Sequence, residues 1–182
     1  MRRLLPLVLL LGCHEWSRDR SAAAFLKTIV AAQADFREND RDEDGSGNFW
    51  VKDVAGLYGL DTGKGPMKLI HINDAQADRT PGGGRYPSVA KVEPQIGRYW
   101  YAALKSYRQD GKSVAYDDGT GRNLFRFALA AFPGDFYGEG SRLTFIVSER
   151  NIIYSKDTRG KPPEEFPEDP LKDGWQVFDR SR

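Results

Sequence analysis

The chain has 182 residues, of which 40% are hydrophobic, 12% aromatic and 29% charged, the balance of a globular domain rather than a disordered one. One domain fits that length, and about 170 mature residues bury roughly 70% of their unfolded surface, so no disulfide staple is required. Loss of Arg2 and Arg3 with an N-terminal leader would leave the 27 basic residues one short of the 26 acidic ones, which gives no electrostatic footprint for nucleic acid.

Met1-Arg2-Arg3 followed by the apolar run Leu4–Leu11 has the form of a secretory signal. The run is too short for the about 20 residues of a bilayer-spanning helix. Leu10-Leu11-Gly12-Cys13 resembles the bacterial lipobox, so residues 1–12 are expected to be removed and Cys13 to carry covalent lipid. The plainer alternative is a cysteine that merely follows an ordinary signal. Acylation accounts better for the chain's single Cys, because a lone thiol in an oxidising compartment is a liability. The short, charged stretch His14–Arg20 reads as a tether, making residues 13–20 a lipidated linker.

The folded domain is expected over residues 21–182. Ser21–Asn39 is the clearest helix, with Phe25, Leu26, Ile29, Val30 and Phe36 at helical spacing and Ala32 and Gln33 on the same side. The turn formers Asn39–Asn48 end it. A short helical turn within Phe49–Leu57, a loop over Gly59–Gly65 and a weak helix over Met67–Ala77 follow. Thr80–Pro94, headed by Pro81-Gly82-Gly83-Gly84, reads as a long loop inside one domain. Beyond it the period changes to two. Gly97–Tyr107, Asn123–Phe132, Arg142–Ser148 and Asn151–Asp157 are rich in aromatic and β-branched residues between turn signals. These predict an α+β fold: a long N-terminal amphipathic helix packed on a four-stranded antiparallel meander. The Pro-rich extension from Lys161 is expected to dock through Trp175 and Phe178.

That layout resembles the soluble domain of type IV pilins and type II secretion pseudopilins. The run Leu26-Lys27-Thr28-Ile29-Val30-Ala31-Ala32-Gln33-Ala34-Asp35-Phe36 is similar to the pilin-like helix, and Gly97-Arg98-Tyr99-Trp100-Tyr101 to a first strand. Phe132–Gly138, Leu143–Val147 and Ile152–Asp157 resemble later strands of the domain of unknown function 2950 family, exported bacterial proteins often described as pilin-like. The resemblance covers roughly residues 21–160. It implies a non-catalytic domain whose partners are envelope or secretion-system proteins. A pilin polymerises through a long apolar N-terminal helix segment; here a lipobox-like Cys13 stands in that region, so what carries over is the soluble domain, tied to a membrane by lipid.

Residues suited to catalysis are sparse. His71, with Asp74 as its candidate carboxylate, is the one candidate for a Ser-His-Asp arrangement, and a Gly-x-Ser-x-Gly elbow is missing. Gly82-Gly83-Gly84 lacks the Gly-Lys-Ser/Thr of a phosphate loop. Asp117-Asp118 and Asp135 with Glu139 could be paired carboxylates, but sit among turn glycines. Tyr99, Trp100, Tyr101, Phe125 and Phe127 could line a groove for a small ligand or glycan; the alternative is that they are core and cross-strand pairs. The suggestive constellation is Asp40-x-Asp42-x-Asp44-Gly45-Ser46-x-Asn48, with oxygen donors at alternate positions and Gly at the sixth, as in an EF-hand Ca²⁺ loop. Val51 holds the twelfth position, where a bidentate Glu belongs, so waters or Asp53 would have to complete the shell. A plain acidic turn is the competing reading. Two functions are therefore expected: an exported, membrane-anchored lipoprotein displaying an interaction domain, or a ligand- or glycan-binding module, either one with calcium as a candidate stabiliser.

Overall fold

The computed structural model describes residues 11–95 and 98–178. All but the end of the expected signal peptide lies outside the described residues, as does the side chain of Cys13. The backbone of Cys13 belongs to the first turn of α1, Leu11–Glu38. This helix starts ten residues earlier than its apolar periodicity indicates, so 14–20 are helix rather than an unstructured tether. Polar contacts far away in sequence fix these turns: the Tyr99 hydroxyl donates to Asp19 Oδ1 at 2.7 Å, and Arg18 Nη1 donates to the Glu139 carbonyl at 2.6 Å. Among the described residues no helix is long and apolar enough to cross a membrane.

Leu26, Ile29 and Phe36 of α1 are buried, with Ala22, Ala23 and Ala32 permitting close approach, while Phe25 and Val30 are half-buried at the margins. Each large side chain so placed contributes roughly 1.5–3 kcal/mol. The helix packs on β1 (Phe49–Trp50), β6 (Ala128–Phe132) and β7 (Leu143–Ser148). The fold is α+β, as expected, with a largely antiparallel strand set.

The main sheet differs in detail from the expected meander. It has five strands among the described residues, in the order β10 (Gln176–Val177), β8 (Tyr154–Asp157), β7, β6 and β2 (Trp100–Ala103), every neighbouring pair antiparallel. The added edge strand comes from the C-terminal extension, where Phe178 stands edge-on to Phe145 at 5.0 Å. The expected strand Gly97–Tyr107 is split after β2. Its second part, β3 (Ser106–Gln109), pairs with β4 (Lys112–Ala115) and, in parallel, with β9 (Glu165–Phe166). The expected strand Asn123–Phe132 is split too: β5 (Arg122–Asn123) pairs with β1, and only the later residues join the main sheet as β6. Residues 104–127 are thus an excursion between β2 and β6 rather than a tight link. Strand β6 is Ala-Leu-Ala-Ala-Phe and wholly buried, its small side chains suiting a strand covered on both faces.

The short helices α2 (Gly56–Gly59) and α3 (Ile72–Gln76) lie between β1 and β2. The free edge of β2 is covered by the segment after α3, where Arg79 N–H donates to the Tyr101 carbonyl and Tyr101 N–H to the Ala77 carbonyl. That cover removes an open sheet edge.

Candidate functional site

The acidic run is the loop that joins α1 to β1, and both its ends are clamped. On the helix side the chain leaves α1 with Asp40 at φ 44° and Arg41 N–H bonded to the Phe36 carbonyl at 3.1 Å, the geometry of a left-handed C-terminal cap. Aspartate tolerates this conformation better than most residues. On the strand side the buried Gln33 reads the Trp50 backbone twice: Nε2 donates to its carbonyl at 2.6 Å and Oε1 accepts from its N–H at 3.0 Å. Gln33 thereby stands in for a neighbouring strand beside β1.

Between these clamps the carboxylates converge. Asp40, Asp42 and Asp44 each offer one oxygen, and those atoms lie within 4.8 Å of one another. A calcium ion with bonds of 2.3–2.6 Å would hold its ligands no more than about 5 Å apart, so the three fit one coordination sphere. Gly45, at φ 80°, makes the sharp turn and donates its N–H to Asp40 Oδ2 at 3.0 Å. Asp44 accepts from Ser46 N–H at 2.8 Å and from Asn48 Nδ2 at 2.9 Å. Other oxygens are left over: Asp40 Oδ1, Asp42 Oδ1 and Asn48 Oδ1 are buried without a hydrogen-bond partner. Asn48 is 4% exposed and the Asp42 side chain 2%. Burying an acceptor and leaving it unsatisfied costs about 1–3 kcal/mol, more for a charged one, unless something else satisfies it. A hard cation needs such oxygens.

The remaining expected ligands differ in availability. Ser46 is exposed, and its carbonyl already accepts from Asn48 N–H at 2.9 Å while keeping a second lone pair. Val51 is buried beside β5. Asp53 does not complete the set: its carboxylate is fully buried and spent on Trp50 Nε1, Gly56 N–H, Gly84 N–H and the Tyr86 hydroxyl. Asp35, one turn back on α1, is held below the usual carboxylate range by its hydrogen bonds from Arg41.

A residue that spacing did not indicate also reaches the loop. Arg122 on β5 pairs through Nε with Asp42 and lies 3.3 Å from Asp44 Oδ2. Its Nη1 donates to the Thr120 carbonyl at 3.2 Å. A cleft of about 270 Å³ opens beside it, lined by Asp44, Ser46, Asn48, Asp118, Thr120 and Leu124 among others.

The other candidates resolve into structural roles. His71 caps α3, its Nδ1 accepting from Asn73 N–H at 3.3 Å. Asp74 is buried against Gln95, and burial raises its pKa above the ordinary carboxylate value. Asp117 accepts from Gly119 and Gly121 N–H, and Asp118 from Thr120, as turn acids do. Asp135 pairs with Arg79 at 3.2 Å and Glu139 with Arg98. Tyr99, Trp100, Tyr101 and Phe127 are buried, so of the aromatics considered for a sheet groove only Phe125 stands out in solvent.

Just before the Pro81–Gly84 loop stands a second, half-buried carboxylate. Asp78 accepts from Val54, Ala55 and Thr80 N–H and from the Thr80 hydroxyl. Burial foremost, with the charge of Asp53 adding, raises its pKa to about 6. Asp78 lines a cleft of about 560 Å³ together with Thr80, Tyr86, Val89 and Val92. Compared with known proteins, the chain matches no family model, no curated protein and no solved structure.

Proposed function

We propose that this protein is a non-catalytic interaction domain of pilin-like architecture, held at the surface of a cell membrane by lipid on Cys13, in which calcium locks the loop between α1 and β1. The observation that carries the reading is the set of buried, unpartnered oxygens on Asp40, Asp42 and Asn48, beside Asp44 in a loop of EF-hand-like spacing. The lock would fasten the end of α1 to β1 and, through the β1–β5 pairing, to the excursion that precedes β6. Partners would be envelope or secretion-system proteins that touch the displayed surface. The pilin-like comparison is supported by a long helix laid across a sheet in which β2, β6, β7 and β8 are successive antiparallel neighbours. Calorimetric titration of the full chain with calcium chloride tests the lock directly: one ion bound per chain is expected, and no uptake at millimolar calcium overturns it. Metabolic labelling with a fatty acid tests the anchor. The wild type should take label and Cys13→Ser should not, whereas equal labelling of both removes the lipid from the account.

A ligand-binding reading has a specific footing as well, away from the sheet aromatics that first suggest it. The cleft beside Asp78 and Tyr86 is of the size of small-molecule sites. Protein-detected ¹⁵N–¹H NMR with a mixed library of saccharides and small amines tests it: shifts or broadening at Tyr86 and Val92 are expected, and a cleft whose resonances stay unmoved overturns this reading.

A further inference from the structure

We propose that Arg122 is a built-in stand-in for the cation: its guanidinium and a divalent ion compete for Asp42 and Asp44, so that Arg122 sets the calcium concentration at which the loop loads. The proposal rests on the calcium reading given above and names the residue that tunes it.

Arg122 is not part of the loop. It is delivered by β5, where its backbone is opposite Trp50 in the β1–β5 ladder. The same pairing that fixes the strand side of the loop therefore fixes the guanidinium. Its Nε meets Asp42, whose side chain is 2% exposed, and reaches Asp44 Oδ2 at 3.3 Å. Arginine is always charged, so this positive charge cannot be lost by deprotonation; it can only move.

The oxygens show how the competition would run. Asp42 gives one oxygen to Arg122 and keeps Oδ1 unpartnered. Asp44 has both oxygens engaged, Oδ1 by Ser46 N–H and Oδ2 by Asn48 Nδ2 and Arg122. A divalent ion drawing on both carboxylates must therefore sit within a few Å of the guanidinium or drive it off Asp44. Like charges that close repel strongly even at high effective dielectric. The adjoining cleft gives the side chain somewhere to go, since Arg122, Asp118 and Thr120 line it together. One fixed positive charge among three carboxylates holds the loop together without metal, and the same charge weakens metal binding. Such a loop loads only where calcium is abundant, as it is outside cells.

The experiment is calorimetric titration of the full chain with calcium chloride, comparing wild type with Arg122→Gln and Arg122→Lys. Arg122→Gln removes the charge and keeps a polar donor; its dissociation constant should fall at least about tenfold. Arg122→Lys keeps the charge and should stay within about threefold of wild type. Calcium bound by the wild type but no tighter by Arg122→Gln overturns the stand-in and leaves the calcium site standing. Uptake by neither protein overturns the calcium site itself. A wild-type measurement covers the case in which Arg122→Gln does not fold: the Arg122 Nε–H resonance in ¹⁵N spectra should shift and exchange faster with solvent on calcium saturation. An Nε–H signal that calcium leaves unmoved also overturns the proposal.

Discussion

Asp53 and Asp78, on one side of Trp50, and Asp40, Asp42 and Asp44, on the other, use the same side chain to opposite ends. Asp53 and Asp78 each gather several donors from their own chain, among them the backbone N–H groups of Val54, Ala55, Gly56, Thr80 and Gly84. They act as internal staples, tying the start of α2 to the Pro81–Gly84 loop. The helix-end cluster spends some of its oxygens on its own turn and leaves Asp40 Oδ1 and Asp42 Oδ1 buried with nothing to accept. Acidic clusters are common, and composition alone does not separate these two. The separation lies in whether the chain itself satisfies the buried oxygens.

The largest expected effect is on the satisfied side. Asp53→Ala would strip the partner from Trp50 Nε1, Gly56 N–H, Gly84 N–H and the Tyr86 hydroxyl together. At about 1–3 kcal/mol for an orphaned buried donor, and with some rescue by water, the variant should lose about 3 kcal/mol or more in urea denaturation. Asp42→Asn, measured in chelator, should lose no more than about 1 kcal/mol, because its Oδ1 is unsatisfied already and Arg122 keeps Asp44. Equal losses in the two variants would erase the distinction between staple and site.

Asp78 sharpens the same contrast through pH. Its folded pKa of about 6 stands above the ordinary 3.8, so the native state holds this proton more tightly than the unfolded chain does. The sign follows from linkage: between about pH 4 and pH 6 the native state binds more protons, and the contribution of Asp78 to stability falls as pH rises. At 1.36 kcal/mol per unit the loss amounts to about 3 kcal/mol, complete above pH 6. Carboxyl ¹³C NMR should find Asp78 titrating near 6. A midpoint near 4 would mean that its hydrogen-bond donors outweigh its burial.

Legibility in the sequence follows range. The middle of α1 is readable because Leu26, Ile29 and Phe36 repeat at helical spacing, and its start is not, because Arg18 and Asp19 are held by Glu139 and Tyr99, 121 and 80 residues further along the chain. The spacing of Asp40, Asp42, Asp44 and Asn48 is local and could be read directly. Arg122 could not, since only the β1–β5 pairing brings it to Asp42. Asp53 looked like a spare ligand two residues after the twelfth position, and the fold turns it toward Gly84 and Tyr86 instead. The added strand β10 rests on a two-residue pairing with β8 that no periodicity could announce.

The smallest effect is the one that bears most directly on the open cluster. Without the twelfth-position Glu the loop lacks a bidentate ligand, and its affinity should resemble that of extracellular modules, with a dissociation constant of about 10⁻⁴–10⁻³ M. Calcium at ten times that constant stabilises the native state by about 1.4 kcal/mol through mass action. For a domain of this length each kcal/mol moves the midpoint by about 2–4 °C, so calcium against chelator should raise the thermal midpoint by about 3–6 °C. Asp42→Ala should abolish that rise, while Asp117→Ala, which alters only a turn acid, should keep it. Magnesium at the same concentration should do less, because it demands octahedral geometry and sheds water reluctantly. A wild-type midpoint indifferent to calcium would make Asp40, Asp42 and Asp44 an acidic turn neutralised by Arg122, and would leave the buried oxygens of Asp40, Asp42 and Asn48 as a standing cost in the native fold.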